Sequence, residues 1–115
     1  MKRFDLVVIS AALGLLLTAC DRTDKTETEV KKAVLEGLKD PDSAKFGAFK
    51  LVGTDGACIV VNARNSFGGY GGDKHAVVMK LEGEWFLINL ESLSQEMCIS
   101  IVQQLLEKRS TSNSK

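Results

Sequence analysis

The sequence predicts an α+β domain built from an N-terminal helix, a four-stranded antiparallel β-meander and a C-terminal helix packed on the sheet. Three observations carry this expectation. Val30, Ala33, Val34, Gly37 and Leu38 recur at i, i+3, i+4, i+7 and i+8, the spacing of one stripe on an amphipathic helix. From Phe46 to Leu90 the pattern changes to short segments of period two, separated by Thr54-Asp55-Gly56, a glycine-rich stretch and Glu82-Gly83, compositions suited to hairpin turns. Leu93, Met97, Cys98, Ile101, Val102, Leu105 and Leu106 then return to helical spacing.

The elements follow in chain order. The first helix is expected from Glu29 to near Asp40, supported by Glu27 four residues before Lys31 and stopped by Pro41, which disfavours helical geometry in the residue before it. Asp40 is placed to cap a short turn that Pro41 opens. In the first strand Phe46, Ala48 and Val52 share one face, with Phe49 and Leu51 on the other. In the second, Cys58, Val60, Asn62 and Arg64 alternate with Ile59, Val61 and Ala63; both faces are apolar early and one turns polar late, as for a central strand with an exposed end. Lys74–Gly83 supplies the third strand and Glu84–Leu90 the fourth. Four such strands need at least one face covered in water. Ser92 and Gln95 fit a capping box for the covering helix, whose apolar stripe is expected to end before Lys108 and Arg109, with residues 110–115 as a disordered tail.

The first residues carry a different signal. Lys2 and Arg3 precede an apolar run from Leu6 to Leu17, too short for a stable membrane span. It ends in Leu17-Thr18-Ala19-Cys20, which resembles the lipobox of bacterial lipoproteins. That resemblance implies removal of residues 1–19, attachment of diacylglycerol and palmitate at Cys20, and a chain held at the membrane and facing the periplasm. Each buried methylene contributes roughly 0.8 kcal/mol, and two or more acyl chains anchor stably. Asp21 is similar to the residue that retains enterobacterial lipoproteins in the inner membrane. The alternatives are an ordinary secretory signal or a short core helix. Residues 20–28, polar after Cys20, are expected to form a flexible tether, and residues 29–109 a single domain.

Lysine and arginine together equal aspartate and glutamate at 15 each, so no field of one sign exists to attract nucleic acid. Loss of residues 1–19 removes Lys2, Arg3 and Asp5, and the remainder stays near neutral. Export to an oxidising compartment favours pairing of the two remaining cysteines, Cys58 and Cys98, for which only one bridge exists; the alternative is two buried free thiols. The chain-entropy model assigns such a bridge roughly 4 kcal/mol. With one histidine, His75, and the cysteines committed elsewhere, neither a metal nor another cofactor is expected.

Residues 62–74 read NARNSFGGYGGDK. A Walker loop needs its glycines before Lys-Ser/Thr and a helix, whereas here a strand follows. No nucleophile elbow is present, and Glu82 and Glu84 flank a turn expected to be solvated, so no catalytic residues are assigned. Asn62, Arg64, Asn65, Phe67 and Tyr70 form a candidate binding loop, since arginine and tyrosine are favoured in interfaces and glycine lets a partner approach the backbone. The alternative is that the glycines only supply positive φ while Phe67 and Tyr70 fold back on the sheet edge. Leu38–Phe46, LKDPDSAKF, and the loop together resemble small exported bacterial proteins, commonly lipoproteins, that carry no assigned activity; the resemblance implies an α+β domain and no catalytic set. The expected function is a non-enzymatic protein-interaction module of the exclusion, immunity or envelope-complex type, with an unidentified protein partner. The alternative is a small-ligand or glycan-binding domain using the Asn62–Lys74 loop.

Overall fold

The computed structural model describes residues 24–113; the expected signal peptide and lipidated Cys20 lie outside them. Helix α1 covers residues 24–36. Val30 and Val34 on its stripe are fully buried and Ala33 nearly so. The described part of the expected tether, residues 24–28, is helical. Glu27 pairs with Lys31 at 3.6 Å, and Thr28 Oγ1 donates to the Asp24 carbonyl at 2.9 Å. Extending a helix already held by its buried stripe costs far less than starting one.

α1 ends before Asp40, contrary to the expectation from Pro41. The Gly37 and Leu38 amides donate to the Val34 and Leu35 carbonyls at 3.0 and 3.2 Å, closing a tight last turn. A Cβ on Gly37 would lie 2.6 Å from Leu87 Cδ2, so glycine is what lets the helix end rest on the sheet. Pro41–Ser43 then form one 3-10 turn, but Asp40 does not cap it with its side chain. Its carbonyl does that work, accepting from the Ser43 amide at 3.2 Å and from Ser43 Oγ at 2.7 Å.

Strands β1 (Lys45–Val52), β2 (Gly56–Asn62), β3 (Lys74–Leu81) and β4 (Glu84–Glu91) form the meander in the order β1-β2-β3-β4, each neighbouring pair antiparallel. The β3–β4 turn places Glu82 and Gly83 at φ 52° and 84°, as a tight hairpin of that twist requires. β1 departs from strict alternation. A register shift between Phe46 and Phe49 turns both aromatics to one face, while Ala48 is exposed and Val52 packs on the opposite face. A bulge of this kind inserts a residue and re-aims the side chains after it.

Both faces of the sheet are covered. Ala57, Ile59, Val61, Ala76, Val78 and Trp85 pack under α1. Cys58, Val77, Met79 and Val52 pack under helix α2, Gln95–Asn113, through Cys98 and Val102. The Cys58–Cys98 disulfide joins β2 to α2 across 40 positions of sequence, with the Cα atoms 6.2 Å apart. α2 lies close enough that a Cβ on Gly56 would meet Val102 Cγ1.

Three details of α2 differ from the sequence expectation. Ser94, not Ser92, caps it, with Oγ accepting from the Met97 amide at 3.2 Å. Met97 is 55% exposed and lies off the stripe, while Ile99, not expected on it, packs against the cluster beside Ile101. The helix also runs past Arg109 through part of the expected tail. Arg109 Nη1 donates to the Lys80 carbonyl at 2.7 Å and sits 3.6 Å from Asp55 Oδ2, which pins the last turns to the β1–β2 end of the sheet. Among the described residues no helix is long and apolar enough to cross a membrane.

Candidate functional site

The connection from β2 to β3 is a folded loop. Arg64 and Tyr70 form an isolated antiparallel bridge. Inside it the Asn65 amide donates to the Gly69 carbonyl at 2.8 Å and the Gly68 amide to the Asn65 carbonyl at 3.0 Å. Asn65 Oδ1 accepts from the Phe67 amide at 2.9 Å and, more weakly, from the Gly69 amide at 3.4 Å. This is the usual way an asparagine builds a turn from its own side chain, and it commits Asn65 to the loop itself. Gly68 and Gly72 have φ of 84° and 93°, a region that L side chains avoid.

The turn at Pro41–Ser43 braces this loop from the side. Ser43 Oγ accepts from the Arg64 amide at 2.9 Å, and the Ser43 carbonyl accepts from Tyr70 Oη at 3.1 Å. Lys39 Nζ reaches Ser66 Oγ at 2.9 Å. The two segments whose sequences stood out, 38–46 and 62–72, are therefore one structural unit. Ser43 is its centre and was not singled out as a site residue; a serine in a turn gives no sign of a partner some twenty residues downstream.

The five expected loop residues separate in space. Tyr70 folds back as one alternative anticipated, with the Lys45 ammonium 4.8 Å and the Arg64 guanidinium carbon 5.6 Å from its ring centre. Phe67 does not fold back: it is 97% exposed at the tip. Asn62 is half-buried opposite Lys45 in β2, on the Cys58 side by alternation, and its Oδ1 has no hydrogen-bond donor among the described residues. Arg64, Asn65 and Tyr70 are thus gathered, Phe67 projects beyond them, and Asn62 belongs to another face.

Between the end of α1 and this loop lies a cavity of about 360 Å³. Leu38, Val61, Ala63 and Leu90 give it an apolar floor, and Lys39, Arg64 and Lys74 bring three cations to its wall. Lys39 and Lys74 were not foreseen as a pair, since only the return of β3 beside the end of α1 brings them together. The groups collected here are cations, an aromatic tip and an apolar floor, a chemistry of contact and recognition. No protein-family model, curated protein or solved structure matches the chain.

Proposed function

We propose that this chain is a periplasm-facing lipoprotein, anchored through Cys20, whose domain binds another protein without catalysing a reaction. The observation that carries the binding role is Phe67, a large apolar side chain 97% exposed on a loop whose backbone is held by Asn65 and Ser43. An aromatic presented on a fixed turn loses little conformational entropy on binding, and burying it contributes roughly 1.5–3 kcal/mol. Tyr70 and Arg64 beside it are residue types that dominate interface energetics. The lipobox-like Leu17–Cys20 supports the anchor, and Asp21 supports residence in the inner membrane. Exclusion and immunity lipoproteins and small subunits of envelope machines share these requirements.

The test is a cross-linked pull-down from membranes with wild-type, Phe67→Ala and Tyr70→Ala chains. A specific protein retained by wild type is expected to be lost, by at least about tenfold, with Phe67→Ala, while circular dichroism stays unchanged. Recovery of the same proteins in equal amount by wild type and both variants would sink the proposal. Palmitate labelling of wild type against Cys20→Ser checks the anchor separately: unlabelled wild-type chain removes it.

A further inference from the structure

We propose that the cavity between the end of α1 and the glycine-rich loop is a binding site for a small carboxylate with an apolar body. This goes beyond the loop-tip contact proposed above and does not depend on it.

Charge is the first reason. Lys39, Arg64 and Lys74 line the cavity and no carboxylate does, although Asp40, Asp42 and Asp73 are close in sequence. None of the three cations belongs to an ion pair among the described residues. Positive charges converging on one partly enclosed space repel one another, and an anion placed among them turns that repulsion into attraction.

The second reason is how Arg64 is held. Its backbone amide is the group bonded to Ser43 Oγ, so its position is set without using the side chain. Among the described residues the guanidinium meets only the Tyr70 ring, 5.6 Å away, and keeps its donor fork for a planar carboxylate, the partner that geometry suits best. Lys39 is steadied by Ser66, whose Oγ lies 2.9 Å from its Nζ. A preformed arrangement of this kind reduces the ordering cost of binding.

The floor selects the rest of the ligand. Leu38, Val61 and Leu90 offer hydrocarbon and no charge, so a branched aliphatic body fits where a polyanion gains nothing. Gly71 points the same way. It lines the cavity, is not among the glycines with positive φ, and a Cβ there would find only Lys74 Cε, at 4.0 Å. Neither backbone conformation nor crowding requires glycine at 71, and a side chain would stand beside Lys74 where the ligand enters.

Isothermal titration of the full chain with 4-methylpentanoate and with its uncharged amide tests the proposal. The acid is expected to bind saturably and the amide at least about tenfold more weakly, as loss of charge-assisted hydrogen bonds implies. The double variant Lys39→Ala/Lys74→Ala is expected to lose about tenfold or more in affinity for the acid. Gly71→Leu is expected to abolish binding with the melting temperature unchanged, which separates blockage from misfolding. Phe67→Ala is expected to bind the acid as wild type does while failing in the pull-down, so the two proposals stand or fall separately. Equal affinity for acid and amide, no saturation below about 100 mM, a range beyond any useful affinity, or indifference to the double lysine variant overturns the assignment.

Discussion

α2 is tied to the sheet by the Cys58–Cys98 bond and by the Arg109 contacts at its far end, whereas α1 holds the opposite face by non-covalent packing centred on Val30, Ala33 and Val34. The sheet between them is the same, and Cys58 and Ile59 on β2 are equally buried from its two sides. One flank therefore owes part of its stability to a covalent link that acts largely on the unfolded chain. The other depends wholly on packing in the folded state. The loop and its cavity lie at the end of α1, on the flank without the covalent link. Redox conditions should thus govern whether the domain persists, and small packing changes under α1 should govern the shape of the site.

The largest effect is expected from Cys58→Ala/Cys98→Ala. Urea unfolding should show a loss of about 4 kcal/mol relative to the oxidised wild type, and reductant should shift wild type but not the variant. Coincident curves for wild type with and without reductant would erase the contrast between the flanks. Val34→Ala comes next, at about 2–3 kcal/mol from two buried methyl groups and the space they leave. Added reductant should leave that increment unchanged, since nothing covalent is shared with α1. The smallest is Ser43→Ala, about 1–2 kcal/mol for the bonds to Asp40 and Arg64. Its distinctive mark should be local: faster amide exchange at Arg64, with exchange at Cys58 and Val77 unchanged. Uniform acceleration across the sheet would mean that Ser43 supports the whole domain.

Much of this contrast was legible in the residues. Turn compositions at 54–56 and 82–83 and period-two segments placed the meander, and the apolar run Ala57–Val61 already indicated a strand buried on two sides. The stripe of α1 was visible, and the bridge was the one pairing open to Cys58 and Cys98 once Cys20 was expected to carry lipid. What the pattern hid has local causes. The bulge at Phe46–Phe49 depends on backbone geometry around Gly47 and Ala48, and alternation alone is silent about it. The capping box placed the cap at Ser92, whereas Ser94 Oγ takes it while the Leu93 amide is still bonded to the Glu91 carbonyl at the end of β4, a local backbone detail that residue type does not show. Arg109 looked like a helix end because basic residues favour that position, yet its partners, Asp55 and the Lys80 carbonyl, are distant in sequence. For the site, Arg64, Phe67 and Tyr70 could be nominated from residue type. Lys39, Ser43 and Lys74 could not, because their importance arises from tertiary proximity.

Helical structure already present at Asp24 limits reach. If Cys20 carries lipid, the three residues 21–23 separate it from α1, and even fully extended they span only about 10–11 Å. The domain would ride against the headgroups instead of swinging on a leash. α1 rises about 20 Å over its described length at 1.5 Å per residue. Standing upright, it would carry Phe67 and the cationic cavity to that height above the bilayer. Anything that meets this loop would then have to come down to the membrane, and the altitude of the encounter would be set by the length of one helix.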